Sequence, residues 1–340
     1  MKVKQIVFTD VNKAELLEQD LPEIKEDQVL VRTCFSTISA GPERANLIGD
    51  ANVSATTAPK VSFPRYTGYS SAGIVEAVGT QVKGLAAGDR VVVYWGQHKT
   101  HNLVVADRVV KIDNPAVSLE DGAMSFIATF PLAAIRKTRL EMGESALVMG
   151  LGILGMSAVK LLRAAGAVPV IAADPNPDRR ALALRYGADY ALDPMEPDFA
   201  ERVKSITGGG VAVAIEVTGV GAGFNGALDC MAKFGRVALL GCTRNSDFTV
   251  DYYRKIHAPG ITVIGAHTIA RPEVESHPGW FTHRDDIKAV LDLIGGGRLT
   301  LSDMVEEIHT PEECPAVYDR LVNDRKFPVA VQFDWQSVRA

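Results

Sequence analysis

Ala146-Leu147-Val148-Met149 is a short apolar run that breaks into Gly150-Leu151-Gly152-Ile153-Leu154-Gly155, the spacing G-x-G-x-x-G. Glycines so placed suit one task, the holding of a pyrophosphate against the backbone. Gly150 permits a tight turn, Gly152 lets the main chain approach the phosphates, and Gly155 lets a following helix lie close on its strand. A helical pattern opens at Ile153 and Leu154, so free N–H groups and the positive end of a helix dipole would face the same anion. A second apolar run, Val168-Pro169-Val170-Ile171-Ala172-Ala173, ends on Asp174, about 20 residues past the last glycine. A carboxylate there accepts hydrogen bonds from a ribose diol and repels a 2′-phosphate, which favours NAD over NADP. Arg179, in Asn176-Pro177-Asp178-Arg179-Arg180, is the opposing signal, because a guanidinium can meet a 2′-phosphate. The cofactor expected is NAD.

These residues need a sheet to carry them. After the first two strands comes a helix near 178–186, then a short strand at 190–192. A fourth strand at 211–217, a helix at 221–231, a fifth strand at 235–241 and a sixth at 261–265 follow. Six strands with crossover connections make a doubly wound parallel sheet of the α/β class. Ligands of such sheets meet the loops that leave the carboxyl ends of the strands. That rule sets Thr218, Gly241, Cys242 and His267 along the cofactor. Cys242 reads as a small neutral residue, since no base motif accompanies it. The stretch 267–283 is long, irregular and rich in histidine and aromatic residues, and its Trp280 is a candidate for lining the substrate pocket. Its three histidines are spaced too irregularly to suggest a metal site.

Ahead of this region the first ~120 residues read as short strands with frequent turn signals, among them 28–33, 72–79 and 88–94, followed by a helical pattern over 119–139. Beyond it, helices near 284–293 and 311–322 and strands near 304–309 and 328–333 close the chain. A length of 340 residues suggests two domains, and 47% hydrophobic with 23% charged residues is ordinary for a globular enzyme. A net charge of −5 with no basic stripe argues against a nucleic-acid partner. No apolar run approaches the ~20 residues of a membrane span. The start of the chain reads as a strand rather than a signal peptide. Cys34, Cys230, Cys242 and Cys314 lie far apart and fit reduced thiols in a cytoplasmic protein.

Several of these stretches fall in a shared order: Gln28-Val29-Leu30-Val31-Arg32, Gly73-Ile74-Val75-Glu76-Ala77-Val78-Gly79, Gly88-Asp89-Arg90-Val91, the glycine turn, Arg179-Arg180-Ala181-Leu182-Ala183 and Tyr186-Gly187-Ala188-Asp189. That order resembles the medium-chain dehydrogenase/reductase superfamily of the zinc alcohol and sorbitol dehydrogenase type, over nearly the whole chain. The resemblance implies a six-stranded doubly wound Rossmann domain (126–269) inserted in a β-rich, GroES-like catalytic domain (1–125 and 270–340). It also implies a homodimer or homotetramer joined through the sixth strand. The zinc chemistry of the family does not carry over. Ser39 stands at the first catalytic ligand position, Tyr69 of Gly68-Tyr69-Ser70 at the histidine of Gly-His-Glu, and Phe126 near the third. Residues 91–105 pass without a cysteine, so the structural-zinc lobe is missing too. The relay positions of the family correspond to Gly41 and Arg44. Zinc needs three or four N, S or O ligands, and no metal is expected.

Without a metal, another donor and acceptor must serve the substrate oxygen. Tyr69 and Ser39, at the vacated ligand positions, are the first candidates, and Tyr69 also suits a ring that fills the space. His98 is the next, because histidine titrates near neutral pH, with His101 close behind it in sequence. Tyr94 and Trp95 end a strand where, by the resemblance, the substrate pocket is lined. The reading that results is a zinc-independent, NAD(H)-dependent dehydrogenase of a secondary alcohol: a polyol, a sugar or a ring-bearing carbinol. The alternatives are an NAD(P)H-dependent enone or quinone reductase and a non-catalytic NAD-binding protein.

Overall fold

The computed structural model describes residues 1–53 and 61–338. The chain clusters into two compact units, Met1–Ile127 with Ile287–Ala340, and Ala128–Asp286.

The second unit is built on six strands whose residues are almost all apolar. Val170–Ala173 and Ala146–Met149 are buried throughout, as strands covered on both faces must be. The strand order is Tyr190–Leu192, Val170–Ala173, Ala146–Met149, Val211–Glu216, Met231–Leu239, Thr262–Gly265, every pair parallel. In chain order this is 3-2-1-4-5-6. The direction of winding reverses between Ala146–Met149 and Val211–Glu216, which is where such a sheet opens a crevice. Leu147, Ile171, Ala214, Val237 and Leu228 form its core. The helix Phe199–Thr207, between the third and fourth strands, shows little of itself in the sequence. Its buried residues are Phe199 and Val203, and Gly208 ends it in the left-handed region at φ 71°. The fifth strand starts at Met231, ahead of the glycine that marks its start in sequence.

Residues 270–286, expected with the first domain, cluster with the second. The cause is a buried ion cluster. Asp286, fully buried, accepts from Arg136 Nε at 2.8 Å and from Arg271 Nη1 at 3.1 Å. Arg271 also donates to the carbonyl of Thr129 at 3.1 Å, and the Arg136 guanidinium lies 3.8 Å over the Phe281 ring. These contacts staple the stretch to the end of the helix Leu119–Thr138.

The first unit is β-rich. Lys13–Asp20, Lys2–Asp10 and Arg65–Tyr66 form one antiparallel sheet. A larger sheet runs in the order Val305–His309, Ala330–Asp334, Gln28–Thr37, Ser70–Val78, Arg90–Tyr94, Val109–Lys111, with His101–Val105 also paired to Gln28–Thr37. Alternation puts Val29, Val31, Val75, Val91 and Val93 into one core. A second core gathers Phe8, Ile38, Tyr318, Phe333 and Trp335. The C-terminal strand Ala330–Asp334 thereby lands beside Gln28–Thr37, with Gln332 opposite Thr37.

Candidate functional site

The glycine turn has the form the sequence implies. Gly150 has φ 97°, a region costly for any other residue, and a Cβ on it would come within 2.9 Å of Thr218. A Cβ on Gly155 would meet the Gly150 carbonyl oxygen at 1.9 Å, so only glycine permits this approach of helix to strand. Gly152 has open space around its α-carbon. It is also the N-cap of the helix Ile153–Ala164, in extended conformation and with no side chain capping the first turn. Open backbone and uncapped N–H groups fit a pyrophosphate.

Asp174 is where the acid was expected, at the end of the second strand and nearly buried at 7% exposure. Its carboxylate is already engaged. Oδ2 accepts the Leu151 N–H at 2.9 Å and Oδ1 accepts the Asn176 N–H at 2.8 Å, so the acid braces the glycine turn. Asn176 caps the helix Pro177–Arg185 by accepting from Asp178 N–H. Arg180 is tied to the Asp174 and Pro175 carbonyls and to Asp193. Arg179, one residue earlier, is half-buried, and its guanidinium has no partner among the described residues.

Two further turns complete this end of the sheet. A Cβ on Gly219 (φ 66°) would lie 2.6 Å from the Cys242 carbonyl oxygen, and one on Gly241 would lie 2.3 Å from the Gly219 nitrogen. Thr218–Gly219 and Gly241–Cys242 are thus packed backbone to backbone. Cys242 is exposed. Sequence reasoning missed the acid beneath them. Glu216, almost fully buried, accepts the N–H groups of Thr218 (2.8 Å) and Gly219 (3.2 Å) and the Thr218 hydroxyl. Burial pushes its carboxyl above the usual range, against those hydrogen bonds. An acid closing an apolar strand just ahead of Thr-Gly was the available signal.

His267 is half-buried, and its Nδ1 accepts the Ile269 N–H at 3.3 Å. Burial first, then the charge of Lys137, hold the imidazole below its ordinary range. Lys137 is a second residue the sequence did not single out. Its ammonium donates to the carbonyls of Gly265 (3.3 Å) and Ala270 (2.5 Å), closing the loop that carries His267, and sits 4.7 Å over the Trp280 ring. Burial pushes it down to about 8. Trp280, expected at a substrate pocket, is occupied by this cation and by a two-way backbone bridge to His277.

In the first unit Ser39 and Tyr69 come together: the Tyr69 hydroxyl donates to Ser39 Oγ. Ser39 is the N-cap of the helix Ala40–Leu47, yet its side chain does not cap. Its own N–H is taken instead by Glu43 Oε1 at 2.8 Å. The Tyr69 ring packs on Trp95 (5.5 Å) and edge-on to Phe126 (5.8 Å), and Trp95 meets Phe126 at 5.1 Å. Trp95 is half-buried with φ 56°. Tyr94 is a core residue whose hydroxyl donates to the Asp107 carbonyl at 2.5 Å, rather than a free pocket wall.

His98 departs most from its expected place. It has no exposed surface at all. Nδ1 lies 2.7 Å from Ser36 Oγ and Nε2 3.3 Å from Glu43 Oε2. Trp335 Nε1–H also donates to Ser36 Oγ, at 2.7 Å, and the His98 ring bridges Ser36 to Glu43. An imidazole so enclosed does not reach a substrate oxygen. His101 is buried against Glu76.

The donor set does not fit zinc. Serine, tyrosine and phenylalanine stand where the resemblance would place the three ligands, and among the described residues no group of three or more His, Cys, Asp or Glu is arranged to hold a metal ion.

Residues 25–134 match a family model described as alcohol dehydrogenase GroES-like domain, and residues 154–294 match one described as zinc-binding dehydrogenase. The chain is 27% identical to L-threonine 3-dehydrogenase of Pyrococcus horikoshii over 286 residues, covering 74% of this chain and 79% of that protein. It is 24% identical to D-guloside 3-dehydrogenase of Escherichia coli over 339 residues, covering 94% and 96%. The structure of 2R,3R-butanediol dehydrogenase from Bacillus subtilis superposes with a TM-score of 0.81 at 22% identity, over 98% of this chain and 99% of that one. A GroES-like β unit and a six-stranded doubly wound unit, each matched in turn, show that the chain belongs to the medium-chain dehydrogenase/reductase superfamily.

Proposed function

We propose that this chain is a dehydrogenase that moves a hydride between NAD(H) and a secondary alcohol or its ketone, with hydroxyls of its own at the position of a metal. The observation that carries it is the hydrogen-bonded pair of Tyr69 and Ser39. A carbonyl oxygen that gains charge during reduction needs a donor beside it, and the alcohol needs an acceptor in the reverse direction. A phenol bonded to a second hydroxyl supplies both. Tyr69 Oη gives and takes the proton, and Ser39 Oγ orients it. Nicotinamide, when bound, supplies or accepts the hydride.

At the cofactor end the chain binds and orients. The first turn of Ile153–Ala164 receives the pyrophosphate, Asp174 the adenosine ribose, and the turns at Thr218, Gly241 and Cys242, with His267, line the remainder. Trp95, half-buried and packed on Tyr69, suits the apolar face of a polyol, sugar or ring-bearing carbinol, and the fully buried Phe126 packs edge-on against Tyr69. The names of two relatives specify position 3 of threonine and of a guloside, in keeping with a secondary carbinol. The open edge Thr262–Gly265, paired on one side only and with Thr262 and Val263 exposed, suits the seam of a homodimer or of dimers within a tetramer. Free cysteines fit a cytoplasmic enzyme.

The unpartnered Arg179 favours a second reading, an NADPH-linked enone or quinone reductase. Assay of the purified protein with NAD(H) and NADP(H) against polyols, sugars, aryl carbinols and enones separates the two. NAD-linked alcohol turnover is expected, with kcat lowered on the order of 100-fold or more in Tyr69→Phe. An unaffected Tyr69→Phe overturns the proton assignment. NADPH-linked enone reduction establishes the second reading, and NADH binding without turnover marks a binding protein.

A further inference from the structure

We propose that Glu43 and His98 are positioning residues, a buried carboxylate–imidazole pair that ties the turn carrying Ser39 to the turn carrying Tyr69 and so holds the two hydroxyls together. It rests on the catalytic reading of Tyr69 and Ser39. Glu43 is 1% exposed, and a carboxylate that deep is costly unless its oxygens are met by donors. Three donors from three separate segments meet it. Ser39 N–H reaches Oε1 at 2.8 Å, Tyr318 O–H reaches Oε2 at 2.6 Å, and His98 Nε2 lies 3.3–3.4 Å from both oxygens. Burial and the neighbouring Glu43 push the Tyr318 phenol well above its ordinary range, so it stays a donor.

Each half of the pair controls one hydroxyl. The Glu43 carboxylate accepts the Ser39 N–H and so fixes the backbone of the serine, whose Oγ caps no helix N–H and meets Tyr69 instead. His98 controls the other turn through the backbone. Its N–H donates to the Thr67 carbonyl at 2.7 Å, and its ring lies so close to Gly68 that a Cβ there would come within 2.2 Å of His98 Cγ. Gly68 itself has φ 100°, and Tyr69 is the next residue. On the far side His98 is pinned by Ser36, which Trp335 fixes in turn. The path Ser39–Glu43–His98–Gly68–Tyr69 is therefore closed by the hydroxyl contact at its ends. No member of the pair touches the substrate oxygen; both act through the groups that do.

Glu43→Gln keeps the shape and the acceptor for Ser39 but removes the charge facing His98. It is expected to lower kcat on the order of 10- to 100-fold, as displacement of a reacting group by about 1 Å does. The dissociation constant for NADH should stay unchanged. The solvent deuterium isotope effect on kcat should rise, as the proton step becomes limiting, which general destabilisation does not produce. In a Tyr69→Phe background Glu43→Gln should add no further loss, because the group it positions is gone. A crystal structure of Glu43→Gln reads the same property without catalysis: Ser39 Oγ and Tyr69 Oη should part beyond hydrogen-bond distance. If Glu43→Gln fails to fold, Tyr318→Phe, which removes one donor from Glu43, is read by the same measurements. Wild-type kcat with the hydroxyls still in contact overturns the proposal. If Tyr69→Phe keeps its rate while Glu43→Gln separates the hydroxyls, the catalytic reading fails and the positioning pair stands.

Discussion

Asp174 divides one carboxylate between two tasks. Both of its oxygens already accept backbone N–H groups, one from Leu151 inside the glycine turn, and under the proposed function the same group also receives the adenosine ribose. A residue that only selected NAD by repelling a 2′-phosphate could be removed to the benefit of NADPH. Removing this one leaves the Leu151 N–H without its acceptor, a loss of about 1–3 kcal/mol. Asp174→Ala is therefore expected to weaken NADH by about 10-fold or more and to weaken NADPH as well, though by less. Fluorescence titration with each cofactor decides this; NADPH binding that becomes tighter outright would show that Asp174 acts by repulsion alone. His98 makes the opposite case. Its residue type invites a catalytic role, and its surroundings leave it no surface with which to play one.

The stretch 267–286 behaves as an element although little of it is regular. Lys137 clasps its first turn by two carbonyls, and Arg136 and Arg271 hold its end through Asp286. These cations also depress their basic neighbours. Burial and the charge of Arg271 push the His283 imidazole down to about 3, whereas an unfolded chain takes up that proton near pH 6.5. Between those two values the unfolded state holds more protons than the folded one, so stability rises with pH and is lost as pH falls below about 6.5. His283→Gln removes this contribution. Its unfolding free energy, measured by urea denaturation at pH 7, 6 and 5, should fall less steeply than that of the wild type, by up to ~1.4 kcal/mol per pH unit. Parallel slopes would mean that the imidazole is charged in the folded protein.

At the scale of the whole chain the division of labour follows the two units. Ala128–Asp286 carries the dinucleotide turn, and Met1–Ile127 with Ile287–Ala340 carries the hydroxyl pair. No helix among the described residues is long and apolar enough to cross a membrane. One of the matched family models is named for zinc, yet Ser39, Tyr69 and Phe126 offer no ligand set for it. Native mass spectrometry of protein prepared without chelator tests this together with the assembly. The expected spectrum is a dimer or tetramer with much less than one zinc per chain, and EDTA should leave the activity in place. A full zinc complement that EDTA strips with loss of activity would refute the metal-free assignment, and a monomer would refute the edge-strand seam.

What the sequence by itself determined is what near neighbours enforce. Gly150 and Gly155 are legible because a positive φ and a close approach of helix to strand are backbone sterics within a few residues, and Gly152 because its spacing from them is fixed. The sheet is legible because a parallel strand buried on both faces must be apolar along its length. Even there, Phe199–Thr207 escapes notice, since two buried side chains make too short a periodicity. The tertiary structure decided everything that depends on partners distant in the chain. Leu151 lies 23 positions from Asp174, His98 lies 55 from Glu43, and Tyr318 lies 275 from it. Whether a carboxylate selects a cofactor or braces a turn, and whether an imidazole reacts or holds, depends on desolvation and on which donors the fold brings within about 3 Å. Residue type and spacing carry no record of either.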